Sequence, residues 1–330
     1  MTPIPLWVYL GIVACSGISC ALSVPFWRRW CVRIGLIDEP GGRKDHSQIT
    51  PLAGGLAVFS GLAISVLIGV LGIELGWISP EMLERFRYGL AKRAIPLSTI
   101  LFGALGILIL GLVDDRFELS PKFKFLGQFT VATLIAVAGI RITLFVPSAV
   151  FSYVVTVFWI VTLMNSVNFL DNMNGLTGGL AVIASAGFAI IAIQHQQYLV
   201  AMMGCMIVGS FLGFLPFNFP RASIFLGDAG SHLAGFLVAV LAILPHFFNV
   251  NSRHRSTVLV PLIILCVPLV DLIQVVIVRT LHRKPFWMGD HNHLSHRLLG
   301  IGLSRTQSVL SLWFMAGIAS VLGVWLATHR

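Results

Sequence analysis

Residues 107–124 read ILILGLVDDRFELSPKFK, an apolar run that ends in two adjacent aspartates, Asp114 and Asp115, followed by a short basic stretch. Two carboxylates at the lip of a membrane-length segment are unfavourable near hydrocarbon, so they imply polar chemistry at the bilayer edge. The composition points the same way. Hydrophobic residues make up 57% of the chain, charged residues 11%, and the mean hydropathy is +0.90, far from soluble domains. With about 20 mostly apolar residues taken as one span, ten segments qualify: 5–24, 51–75, 95–113, 123–140, 149–168, 178–194, 198–217, 231–248, 257–278 and 308–327. The chain is therefore predicted to be a single integral-membrane domain over residues 1–330, an all-α polytopic bundle of about ten transmembrane helices. The first segment reads as a retained helix, because MTPIPLWVYL has no basic leader and Arg28, Arg29 and Arg33 follow it.

The net charge of +9 does not imply nucleic acid. The basic residues sit in loops between spans, where they suit anionic lipid headgroups or phosphorylated substrates. The five cysteines form no CxxC pair, so neither a zinc ribbon nor a disulfide framework is indicated. Fourteen Lys and Arg residues fall in odd-numbered loops and seven in even ones. Cytoplasmic loops are enriched in these residues, which places the odd loops in the cytoplasm and both termini outside. All eight aspartates share the odd face: Asp38, Asp45, Asp114, Asp115, Asp171, Asp228, Asp290 and Asp271, the last lying inside span nine. Loop solvation and helix capping form the plainer explanation, but neither requires Asp114, Asp171 or Asp271.

Three polar loops on this face lead into spans rich in small residues: RKDHSQITPLAGGLAV (43–58), NFLDNMNGLTGGLAV (168–182) and FLGDAGSHLAGFLVA (225–239). Gly and Ala there either let helices pack closely or let backbone N–H groups at Gly175, Gly227 and Gly230 approach an anion. Carboxylates beside such turns, with Lys and Arg close by, suggest a hard metal ion holding a phosphorylated substrate. Mg²⁺ suits this best, since it accepts one or two carboxylates and keeps phosphate oxygens as other ligands; Mn²⁺ is an allowed substitute. The final polar loop, MGDHNHLSHRLLGIGLS (288–304), gathers His291, His293, His296 and Arg297. A zinc site lacks the aspartate that HxHxDH would require, because Ser295 stands there. A hydrogen-bonding grip on a diphosphate remains, beside a merely solvated loop.

The motifs RKDHSQITPLAGG, LVDDRFELSPKFKFLGQ, NFLDNMNGLTGG, FNFPRASIFLGDAGS, VPLVDLIQ and HNHLSHRLLGIGLS, from residue 35 to about 305, resemble those of the polyprenyl-phosphate N-acetylhexosamine-1-phosphate transferases. The closer resemblance is to the branch that uses UDP-N-acetylglucosamine. Phospho-N-acetylmuramoyl-pentapeptide transfer is the alternative. The resemblance implies a cytoplasmic-face active site in a bacterial inner membrane, Mg²⁺, a UDP-N-acetylhexosamine donor, a polyprenyl (undecaprenyl) phosphate acceptor, a first membrane step of cell-envelope glycan synthesis, and a homodimer as one allowed assembly. Carried over by position, Asp228 matches the metal ligand and Asp114 and Asp115 the paired aspartates with catalytic or metal roles. Lys44, His46, Lys122, Asn168, Asp171, Asn174, Asn218, Asp271, His291, His293, His296 and Arg297 fall at substrate-binding positions. Asn174 stands where an aspartate is common, and Ser223 where lysine is frequent.

The implied reaction exchanges one pyrophosphate bond for another, so catalysis is chiefly alignment and charge neutralisation. Adjacent helical residues point about 100° apart, and Asp114 and Asp115 are accordingly expected to do different jobs. One would orient the acceptor phosphate or take its proton, while the other would face the metal or a basic partner. Two other classes compete. A membrane prenyltransferase would present two DDxxD-like clusters, of which DDRFE and DNMNG are poor versions. An ion-coupled transporter would place its ionisable groups near the midplane, where only Asp271 is a candidate.

Overall fold

A computed structural model describes residues 4–40, 49–77, 80–144, 146–245, 255–283, 285 and 292–329. Its helices are α1 (Leu6–Ile34), α2 (Gly54–Glu74), α3 (Pro80–Phe117), α4 (Pro121–Val137), α5 (Ala149–Phe169), α6 (Leu176–Gln194), α7 (Tyr198–Asn218), α8 (Gly227–Ile243), α9 (Val260–Ile264), α10 (Cys266–Leu281), α11 (Leu294–Gly300) and α12 (Arg305–Thr328). Every expected span has a helical counterpart. Seven helices are long and apolar enough to cross a membrane. The protein is thus a multi-pass, all-α membrane protein. A two-residue ribbon, Ile37–Asp38 paired antiparallel with Thr50–Pro51, is the sheet found among the described residues.

Three spans depart from simple rods. The 38 residues of α3 make a helix about 57 Å long at 1.5 Å per residue, well beyond a ~30 Å hydrocarbon core. The second loop, with Arg87, Lys92 and Arg93, is therefore an extension of α3 rather than a loop. α8 has 17 residues, and every residue from Ala229 to Ala242 is buried. A helix enclosed on all sides can be apolar all round. The ninth span breaks at Leu265, with 71° between its halves. Pro268 accounts for this, because it has no N–H to donate and its ring would clash with the carbonyl of residue 264 in a continuous helix.

The close packing around α8 comes from glycine. A Cβ on Gly111 of α3 would lie 2.3 Å from Ala229 Cα, and one on Gly55 of α2 would lie 2.6 Å from the backbone nitrogen of Gly230. The LAGG motif and Gly230 thus serve helix packing rather than a ligand. Around this centre, large apolar side chains such as Leu22 and Phe26 of α1, Phe158 of α5, and Phe314 and Val321 of α12 remain exposed, as lipid contact requires.

Candidate functional site

The end of α3, the starts of α4, α6 and α8, and the end of α5 meet on the odd-loop face around an open cavity of about 980 Å³. Asp114, Asp115, Asn168, Asp171, Asn174, Asn218, Asp228 and His296 line it together with Lys124, so the structure brings together eight of the residues selected from sequence.

The two adjacent aspartates divide their work as the 100° rotation predicts. Asp114 accepts the Leu119 N–H at 2.9 Å through Oδ1, which folds the short α3–α4 link back on itself. Its other oxygen pairs with Lys124 Nζ. The Lys124 ammonium also donates to Asp228 Oδ2 at 3.3 Å, so carboxylates more than a hundred residues apart converge on one positive charge. Asp228 Oδ1 accepts from Asn168 Nδ2 at 2.9 Å, and the same amide reaches Ser231 Oγ at 2.9 Å.

Asp115 faces the other way. Its Oδ1 accepts the Asp228 N–H at 2.7 Å and its Oδ2 accepts the Ala229 N–H at 3.1 Å. It therefore caps the N-terminus of α8 from another helix, satisfying donors that the first turn leaves open. A carboxylate near that end is also favoured by the helix dipole. The approach is so close that a Cβ on Gly227 would lie 2.7 Å from Asp115 Oδ2, and Gly227 has φ +71°. With both oxygens on backbone N–H groups, Asp115 seats Asp228.

Asn218 is likewise internal. It accepts the Gly175 N–H at 2.6 Å and donates to the Ile224 carbonyl at 2.9 Å, tying the loop before α6 to the loop before α8. Gly175, at φ +79°, adopts the left-handed turn this tie requires. Asn174 donates to the Pro220 carbonyl at 3.3 Å. Asp171 is half-buried after α5, and burial pushes its carboxyl up to about 7. The charge of Asp228 acts in the same direction, and the Thr177 hydroxyl pulls the other way.

Several selected residues stand elsewhere. Lys122 is exposed and outside the lining, whereas Lys124 lies within it. Two helical positions span about 200°, so only one of these lysines can face inward. The available sequence signal was Lys124 with Gln128 at i and i+4, since Gln128 is buried and accepts from Asn165 at 2.6 Å. Arg297 is exposed and outside the lining, while Arg305 and Thr306 at the start of α12 are within it. Asp271 and His293 are buried against each other, away from the cavity wall. Lys44, His46 and His291 lie outside the described residues.

The donor set fits a hard divalent ion. Asp114 and Asp228 already direct oxygens at one cationic point, the Lys124 ammonium, beside a cavity open to further oxygen ligands. No group of three or more His, Cys, Asp or Glu side chains among the described residues forms an all-protein metal cage. Such a cage would suit zinc rather than a phosphate-bound ion.

Comparison with known proteins adds the following. Residues 97–246 match the glycosyl transferase family 4 model. The chain is 32% identical to the "Probable undecaprenyl-phosphate N-acetylglucosaminyl 1-phosphate transferase" of Bacillus subtilis (strain 168), over 94% of this chain and 82% of that protein. It is 31% identical to the "Decaprenyl-phosphate N-acetylglucosaminephosphotransferase" of Mycolicibacterium smegmatis, over 94% and 81%. A Yersinia pestis protein, "Undecaprenyl-phosphate alpha-N-acetylglucosaminyl 1-phosphate transferase", is 28% identical over 90% and 78%.

Proposed function

The chain belongs to glycosyl transferase family 4, among the polyprenyl-phosphate N-acetylglucosamine-1-phosphate transferases, and from that membership we propose the roles of its cavity residues. The enzyme transfers N-acetylglucosamine-1-phosphate to a polyprenyl phosphate. The donor is UDP-N-acetylglucosamine. An oxygen of the lipid phosphate forms a bond to the β-phosphorus, the bond from that phosphorus to the bridging oxygen breaks, and UMP leaves with the electron pair. Bonds of similar kind are made and broken, so the protein's task is to align two polyanions and offset their charge.

The observation that carries this reading is the convergence of Asp114 and Asp228 on a single positive charge at a membrane-face cavity. These two carboxylates would hold Mg²⁺, with Mn²⁺ as a substitute. When bound, the ion would offset negative charge on the phosphate oxygens. Lys124 donates to a substrate phosphate oxygen, Asn168 fixes the Asp228 carboxylate, and Asp115 fixes its backbone. Asp171, its carboxyl raised by burial, lines the same cavity and hydrogen-bonds a substrate oxygen there. The cavity opens to the cytoplasm of a bacterial cell whose inner membrane the bundle spans, and both termini lie outside. There the lipid's phosphate and a soluble nucleotide sugar can meet.

The decisive experiment follows the β-phosphorus. Purified protein, Mg²⁺, polyprenyl phosphate and UDP-N-acetylglucosamine labelled at that atom should give labelled lipid and UMP. Chelation should stop the transfer and added Mg²⁺ restore it. Label retained in UDP would indicate an ordinary glycosyltransferase and overturn the reading. So would a failure to label any lipid across a panel of UDP-sugars and acceptor lengths.

A further inference from the structure

The histidine motif separates into two parts. His296 lines the cavity, whereas His293 is 4% exposed and is the residue just before α11. Its Nδ1 lies 2.7 Å from Oδ2 of Asp271, a fully buried residue of α10. The carboxylate accepts, so His293 donates through Nδ1. The other Asp271 oxygen accepts the Leu294 N–H at 2.6 Å. One turn along α10, Gln274 donates to the Asn292 carbonyl. Ser295, also fully buried, donates to Asn172 Oδ1 at 2.7 Å, on the loop that carries Asp171.

Each residue from Asn292 to Ser295 is therefore held from outside the motif, by α10 or by the loop after α5. α11 has only seven residues, too few to hold a direction by itself. Leu294, Leu298 and Leu299 seat it on the apolar cluster that includes Val309 and Leu312 of α12, while the polar ties fix the turn that leads into it, and His296 follows one residue after the last of them. Apolar packing could fill the same space without the desolvation cost of a carboxylate and an imidazole, which marks the pair as a device for orientation.

We propose that Asp271 is a positioning residue. Through His293 and the Leu294 N–H it sets the histidine loop so that His296 meets a substrate phosphate. His293 anchors the loop through Nδ1 and does not touch substrate. This rests on the cavity being the transferase site.

The two nitrogens of His293 can be tested separately, because an Asn amide nitrogen stands near the Nδ1 position and a Gln amide nitrogen near Nε2. The full-length protein in detergent or nanodiscs is assayed for its thermal midpoint, kcat, and KM for UDP-N-acetylglucosamine. His293→Asn should keep both the midpoint and KM close to wild type. His293→Gln and Asp271→Ala should lower the midpoint and raise KM at least about tenfold, with kcat falling less. His296→Ala should keep the midpoint and raise KM. A functional Gln variant beside an impaired Asn variant would overturn the proposal, as would equal loss in both or an unchanged KM for His296→Ala. If the wild-type protein labels no lipid, the transferase reading has failed, and the order of the thermal midpoints alone decides whether Asp271 and His293 form the anchor.

Discussion

At the scale of single residues, the site depends on the rotation of one residue step about a helix axis. Asp114 meets Lys124, and Asp115, next to it, meets the backbone of α8. The two should therefore fail differently. Asp228→Asn keeps the side chain's size and its contact with Asn168 but removes the charge, so transfer should fall at least about a hundredfold while the thermal midpoint holds. Asp115→Ala leaves the Asp228 and Ala229 N–H groups without their acceptor. Each buried orphan costs about 1–3 kcal/mol, so this variant should lose stability as well as activity. Comparing thermal midpoints and turnover for both variants checks the division. A destabilised Asp228→Asn beside a stable but inactive Asp115→Ala would reverse it.

At the scale of elements, the Asp228 carboxylate is as well placed as α8 is. That helix is held where α3 and α2 cross it without side chains between, at Gly111 and at Gly55 with Gly230. Gly111→Ala would put a Cβ 2.3 Å from the Ala229 Cα, against backbone that cannot rotate away. Overpacking of this kind costs about 1–3 kcal/mol or more, and the nearest relief is to push the first turn of α8, and Asp228 with it, out of line. The variant should give less folded protein, and what folds should transfer poorly. Gly106→Ala on the same helix meets only Val131 Cγ2 at 3.5 Å, an ordinary contact, and serves as the control. Equal behaviour of the two variants would show that the crossing does not set the site.

At the scale of the whole molecule, the helix ends that carry the cavity all lie on the face with most of the Lys and Arg residues. This predicts the result of thiol labelling in intact cells. In a background with the five native cysteines replaced, cysteines at Ser120 and Ser304, beside the starts of α4 and α12, should be shielded from an impermeant reagent. One at Gln196, between α6 and α7, should react. The opposite pattern would invert the bundle and place the cavity outside.

The sequence by itself determined the membrane class, a helix at each expected span, and the gathering of Asp114, Asp115, Asp171 and Asp228 around one site. Apolar length and charge asymmetry are properties of a linear string, and they survive folding unchanged. It did not determine which carboxylates converge, because Asp115 meets a helix end 113 residues away whose open N–H groups exist only once α8 has formed. The choice of Lys124 over Lys122 required the rotation of α4. The break at Leu265 had a visible cause in Pro268, but its 71° bend depends on how α9 and α10 pack. Asp271 and His293 both read as polar residues near a substrate; only the tertiary structure, by burying one against the other, made them an anchor for the residue that faces the cavity.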